Sequence, residues 1–127
     1  MLTFEDYRKH DAVGLAQLVA RRRASAEELL ATAIERSAAI NPAINALSQE
    51  HFERARAAIG RGLPDGPFQG VPFLLKDVSV QLAGTVTSNS CKLFANAVAE
   101  RDSTLVERYQ QAGLVIFGKT NTPEMGL

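Results

Sequence analysis

The sequence predicts an α/β fold in which leading helices pack on a parallel or mixed sheet built around a strand-helix-strand unit. Two continuous apolar runs, Val-Pro-Phe-Leu-Leu at residues 71–75 and Leu-Val-Ile-Phe at 114–117, have the length and pattern of strands covered on both faces. Between them Leu105, Val106, Tyr109 and Ala112 recur at helical spacing. Strand, helix and strand in that order argue for a parallel pair joined by a right-handed crossover. Residues 11–60, by contrast, read mainly as helices, which supply the layer that covers one side of the sheet.

The first of these helices follows Asp11, whose carboxylate suits an N-cap, with Ala12, Leu15, Ala16 and Val19 on one stripe. The second begins at Ser25, and Glu28 three residues later completes a capping box ahead of Leu29, Leu30, Ala33, Ile34 and Ile40. Asn41-Pro42 is expected to end it, because proline lacks a donor and restricts the residue before it. A short extended segment at 44–47 comes next. Ser48 is then expected to cap a third helix with Phe52, Ala55, Ala58 and Ile59 inward.

Residues 60–70 hold four glycines and two prolines and read as a loop. They do not form a phosphate cradle, since the glycines follow a helix and no Lys-Ser or Lys-Thr ending is present. Residues 84–92 are small and polar, again a loop. Asp102 is the expected cap of the crossover helix, and Gly113 its close. Gly118-Lys119-Thr120-Asn121 reads as a turn, and Thr122-Pro123-Glu124 as the start of another helix. The sequence stops at Met125-Gly126-Leu127, a few residues into that helix, so the chain reads as cut there.

Composition narrows the function classes. Hydrophobic residues make up 46% and charged residues 22% of the 127, a balance that suits a soluble globular core. Lys and Arg number 14, as do Asp and Glu, so no cationic surplus points to a nucleic-acid partner. The one basic run, Arg21 to Arg23, sits where cations complement a helix carboxyl end. A single cysteine, Cys91, cannot form an internal disulfide, and His10 and His51 are isolated from other metal-type ligands. The opening residues lack a signal-peptide pattern, and no apolar stretch approaches the ~18 residues needed to span a membrane. A cytoplasmic protein is expected.

Lys76 is the candidate for chemistry. Sheets of this kind present functional groups at the carboxyl ends of their strands. A lysine directly after Phe73-Leu74-Leu75 is expected to be partly desolvated. Loss of water disfavours the ammonium, so the neutral amine becomes available as a base. Lys119, at the second strand end, is the rival. Cys91 has no histidine near it in sequence and reads as an ordinary thiol. Asp77 and Asn121 are expected to fix loops through side-chain to backbone hydrogen bonds.

Three blocks, Gly70 to Asp77, Asp102 to Val106, and Ala112 to Glu124, resemble in order and spacing three consecutive blocks of the amidase-signature family. Asn41-Pro42-Ala43-Ile44-Asn45-Ala46 resembles the same family's Asn-Pro-x-Ile-Asn-Ala segment. The resemblance extends over nearly the whole chain from Asp11. It implies that residues 1–127 are the amino-terminal fragment of one amidase domain, with a helical segment at 11–60 and the start of the α/β core at 71–127. It further implies a hydrolase with a Ser–cis-Ser–Lys triad, no metal and no cofactor, acting on a small-molecule amide. Lys76 matches the catalytic lysine of that triad, whereas both serines belong to a glycine- and serine-rich stretch that this sequence lacks. Lys119 falls in the Gly-Lys-Thr-Asn block, which borders the site without serving as the base.

The chain departs from the family's Thr-Thr-x-Gly-Ser loop, with Ser90 where glycine is usual and Cys91 where serine is usual. Glycine at that position would accommodate a positive φ. Ser88 and Ser90 do not stand in for the triad serines. The chain alone is therefore expected to be inactive and to self-associate through exposed surface, with neither nucleic acid nor membrane as a partner. Two other functions fit parts of the pattern. One is the glutamine-hydrolysing subunit of a tRNA-dependent amidotransferase; the other is a non-catalytic interaction module that keeps half the fold. Residues 120–126 resemble bacterial amidases, including those acting on cyclic nylon oligomers, more than that subunit.

Overall fold

The computed structural model describes all 127 residues. The elements run α1 (Phe4–Tyr7), α2 (Ala12–Ala20), α3 (Ala26–Ile44), β1 (Leu47–Glu50), α4 (Phe52–Arg61), β2 (Pro72–Lys76), α5 (Thr104–Gln111) and β3 (Val115–Thr120). Short 3-10 turns occupy Lys92–Phe94 and Glu124–Gly126. The three strands form one mixed sheet in the order β1-β3-β2, with β2 and β3 parallel and β1 antiparallel to β3. The strand-helix-strand unit is thus β2-α5-β3. No helix is long and apolar enough to cross a membrane.

Local signals set the starts of α2 and α3. The Asp11 carboxylate accepts from the Gly14 amide at 2.8 Å. Ser25 and Glu28 form the full capping box, the Glu28 amide donating to Ser25 Oγ at 3.1 Å and the Ser25 amide to Glu28 Oε2 at 2.9 Å. Helix α3 does not stop at Asn41-Pro42 but runs through Pro42 to Ile44. Only one helical bond is forfeited there, the one a residue-42 amide would give to the Ala38 carbonyl. The end is then tied off by Asn45, which is left-handed at φ 48°, and by Asn41 Oδ1, which accepts from the Leu47 amide at 2.9 Å.

Ser48 does not cap α4. It lies within β1 and donates its hydroxyl to the Lys119 carbonyl at 3.3 Å, and His51 precedes the helix without a side-chain cap. Asp102 does not cap α5 either. Its carboxylate accepts from the Ala83 amide at 2.7 Å and from Gln110 Nε2 at 3.2 Å, joining the loop before the helix to the helix itself. Val106 and Tyr109 face inward as expected, but Leu105 points outward and is 45% exposed. After Pro123 the chain makes only a 3-10 turn, in which Met125 has φ 54°, so the expected helix is not formed.

The core has two sides, divided by β3. Val115 and Phe117 join Leu30 of α3 and Ala55 of α4, with Phe52 stacked on Phe117 at a centroid distance of 6.2 Å. Ile116, on the opposite face, joins Leu75, Leu82 and Val106, and Phe73 meets Tyr109 at 4.8 Å between centroids. This alternation is the period-2 rule of a strand buried on both faces. A third cluster under α2 gathers Leu15, Ala24, Leu29 and Val71. Of the apolar run 114–117, Val115, Ile116 and Phe117 lie in β3 and are buried as expected, whereas Leu114 precedes the strand and is only partly buried. In β2 only Leu75 is fully buried, because β2 is an edge strand.

The expected turn at Gly118-Lys119-Thr120 is not a turn. Strand β3 continues through Thr120, pairing Gly118 with Glu50 and Leu74, and Lys119 with Gln49 and Leu75. Glycine is needed at 118 because a Cβ there would lie 2.6 Å from the Gln49 carbonyl oxygen and 3.1 Å from Leu74 Cδ2. Gly118→Ala is therefore expected to lower unfolding stability by about 1–3 kcal/mol through overpacking between adjacent strands. Urea denaturation measures this, and an unchanged midpoint would refute the close approach of β1.

Candidate active site

The carboxyl ends of β2 and β3 bring the sequence-selected residues together. Lys76 is the last residue of β2 and lies opposite Thr120 in the parallel register. The peptide after it is fixed by the Asp77 amide, which donates to the Thr120 carbonyl at 3.1 Å. Lys76 itself is exposed. The expected partial desolvation is not seen, since Lys76 ends an edge strand that has no strand on its outer side.

Its neighbour behaves oppositely. Asp77 is 2% exposed. One carboxylate oxygen accepts from the Ser88 amide at 3.0 Å, and the other accepts a short hydrogen bond from the Ser88 hydroxyl. This is the loop-fixing role expected for Asp77. Asn121 does likewise, donating from its side-chain amide to the Asn45 carbonyl, while its backbone amide donates to Ala46 at 2.8 Å. The loop is further tied by Asn89, whose Oδ1 accepts from the Ser79 amide at 3.0 Å. Asn89 and Ser90 both have positive φ, 51° and 52°. Ser90 therefore occupies the left-handed conformation that glycine adopts without steric cost.

Lys119 is wholly enclosed, with 0% exposure. Its ammonium donates a short hydrogen bond to the Val86 carbonyl and another, at 3.3 Å, to Thr87 Oγ1. The Val86 carbonyl also accepts from Gln49 Nε2 at 3.0 Å. Burial drives the Lys119 pKa below the ordinary lysine value; the Asp77 carboxylate opposes that shift and the Arg54 guanidinium adds to it. Of the two strand-end lysines, then, one is exposed and the other is shut away with two of its three N–H donors engaged.

His51 completes the neighbourhood. It is half-buried, and its Nε2 lies 3.0 Å from Gln49 Oε1. Desolvation lowers its pKa first, and the nearby positive charges of Lys119 and Arg54 lower it further. In the sequence His51 is an isolated histidine. Nothing local points to its place here, because Lys119 lies 68 residues further along the chain. Cys91 is only partly buried, and its amide donates to the Ser88 carbonyl at 2.9 Å, closing a turn of the same loop.

The amidase family model matches residues 28–127, from the first turn of α3 to Leu127. The chain belongs to the amidase family. Among amidase relatives, the 6-aminohexanoate-cyclic-dimer hydrolase of Paenarthrobacter ureafaciens is 43% identical over 118 residues, covering 91% of this chain and 24% of the relative. The acylamidase of Rhodococcus erythropolis is 37% identical over 122 residues, covering 91% of the chain and 25% of the relative. A glutamyl-tRNA(Gln) amidotransferase subunit from Acidothermus cellulolyticus is 36% identical over 131 residues, covering 96% and 25%. A solved structure of 6-aminohexanoate cyclic dimer hydrolase superposes with a TM-score of 0.84 at 42% identity, covering 91% of this chain and 24% of that one. The chain spans about a quarter of the length of these relatives.

The lowered pKa of His51 has a consequence for stability. Between the unfolded value of 6.5 and the depressed folded one, the unfolded chain binds the proton and the folded chain does not. The contribution is present above pH 6.5 and is lost as the pH falls through the folded pKa. The urea midpoint is expected to drop between pH 7.5 and 5, with a shallower drop in His51→Gln. Parallel pH dependence in the two proteins would remove His51 from the account.

Proposed function

We propose that the chain is the amino-terminal part of a cytoplasmic amidase that hydrolyses non-peptide carbon–nitrogen bonds in a small-molecule amide, with Lys76 as the base of a Ser–cis-Ser–Lys triad. The observation that carries the proposal is the contrast between the two lysines. A base must reach the reacting groups, and only Lys76 is open to them. The ammonium of Lys119 is already committed to Val86 and Thr87. In this reading the remainder of the enzyme supplies both serines and the oxyanion donors. It also covers Lys76, and the desolvation that follows would let the amine accept a proton. The nucleophilic serine attacks the amide carbonyl and its proton passes through the second serine to Lys76. The same proton is returned to the nitrogen as the C–N bond breaks and the amine leaves. Water, deprotonated by the same route, then cleaves the acyl-serine ester to release the acid and restore the serine.

The closer identity to a cyclic-amide hydrolase than to the amidotransferase subunit, 43% against 36%, supports a bacterial amidase over a glutamine-hydrolysing one. In the enzyme that carries this chain, Lys76→Ala is expected to lower kcat/KM for an aliphatic amide such as 6-aminohexanoate cyclic dimer by roughly 10³-fold or more. Lys119→Ala should retain measurable turnover. Substantial activity in Lys76→Ala with none in Lys119→Ala would transfer the role of base to Lys119. The 127-residue chain alone should give no turnover above background.

Self-association of the isolated chain, through a second copy of itself, is part of the same proposal. The outer edge of β2 is unpaired, and Leu93 and Val98 are 83% and 58% exposed. Size-exclusion chromatography with light scattering is expected to give a mass above 13.7 kDa that rises with concentration. A monomer at all concentrations would argue instead for a self-contained module.

A further inference from the structure

Two oppositely charged side chains are buried at the strand ends without forming an ion pair with each other. Asp77 and Lys119 are 2% and 0% exposed, and neither takes part in a salt bridge. Burying a charge costs several kcal/mol unless hydrogen bonds replace its water, and an apolar residue of similar size would avoid that cost. What both charges hold is one short segment of loop. Lys119 grips residues 86 and 87 from β3, and Asp77 grips residue 88 from the end of β2. Gln49 of β1 adds a third hold on the Val86 carbonyl.

We propose that Asp77 and Lys119 are positioning residues. They clamp residues 86–88 across the carboxyl ends of β2 and β3, and the clamp fixes the backbone that carries Lys76. The proposal rests on the reading of Lys76 as the base. Its geometry is direct, because Asp77 follows Lys76 in the chain. The Asp77 backbone is pinned to Thr120 and its side chain to Ser88, so the peptide leaving Lys76 is held from two sides. Releasing Ser88 leaves that peptide held from one side only, by Thr120. A displacement of about 1 Å in a reacting group can cost on the order of 100-fold in rate. Lys119 acts one step further back, by keeping the segment next to Ser88 in place.

Hydrogen exchange on the 127-residue chain and kinetics on the enzyme that carries it test the clamp together. The Ser88 amide lies outside any helix or strand, yet in the wild-type chain it should exchange roughly 100-fold more slowly than an exposed amide. Asp77→Ala should abolish that protection, whereas Asp77→Asn, which keeps an acceptor oxygen, should retain most of it. In the enzyme, Asp77→Ala and Lys119→Met should each lower kcat about 10- to 100-fold with KM changing less than about threefold, and Asp77→Asn should recover most of the loss. An unprotected Ser88 amide in the wild-type chain overturns the clamp, even if every variant fails to fold. So does an Asp77→Asn enzyme no better than Asp77→Ala. If Lys76→Ala is inactive while Asp77→Ala and Lys119→Met turn over normally, the clamp falls and the base assignment stands. If Lys76→Ala is active, the base assignment falls and takes the positioning role with it.

Discussion

Strand β3 is the constraint on which the fold turns. It is the only strand that pairs with both others, and five of its six residues are buried. Its alternating side chains serve two cores at once, Val115 and Phe117 toward α3 and α4, Ile116 toward α5. The run could not be shortened to the apolar residues alone. Gly118 lets β1 approach closely enough to pair, and Lys119 reaches from the end of the strand into the loop at 86–87. A strand that looks purely structural over its first half thus organises the site over its second.

The two lysines at the strand ends illustrate how position in a sheet sets chemistry. They are aligned on neighbouring strands, one residue out of step, since Lys76 pairs with Thr120 and Lys119 with Leu75. That single step separates an exposed amine at an open edge from an enclosed one with two of its three N–H donors bound to acceptors. Burial makes a lysine easier to deprotonate, but it also makes it inaccessible. A lysine held as Lys119 is has the perturbed basicity without the access.

What can be read from the sequence follows the range of the forces involved. The capping box of Ser25 and Glu28, the Asp11 cap and the left-handed close at Gly113 are settled within a few residues, and each is present. The two apolar runs mark the parallel pair, although only β3 has the burial on both faces that such a run implies and β2 is an edge strand with Leu75 alone fully buried. Sequence and structure part where a polar residue has a distant partner. Gly118-Lys119-Thr120 has the composition of a turn, but it continues as a strand because it pairs with β1 and β2, while acceptors at Val86 and Thr87, 33 and 32 residues away, take up the Lys119 ammonium. Asp102 and Ser48 look like caps but are bonded to Ala83 and to the Lys119 carbonyl. Pro42 does not stop its helix, because the Asn41 side chain and the Asn45 conformation close it only afterwards. Lys76 is legible by pattern and its exposure is not, since exposure depends on what lies beside an edge strand.

The order of the strands also bears on how the chain comes together as it is made. Of these three strands the central one comes last in the chain: β1 must wait for a partner 73 residues further on, from Leu47 to Thr120, and β2 for one 43 residues on, from Pro72 to Val115. Until residues 115–120 leave the ribosome, neither β1 nor β2 has its neighbour, and the apolar side chains of α3 and α4 have no sheet to cover. Helices α2 and α3, started by local caps, can form early, but the layered core is assembled only in a step that depends on one six-residue segment.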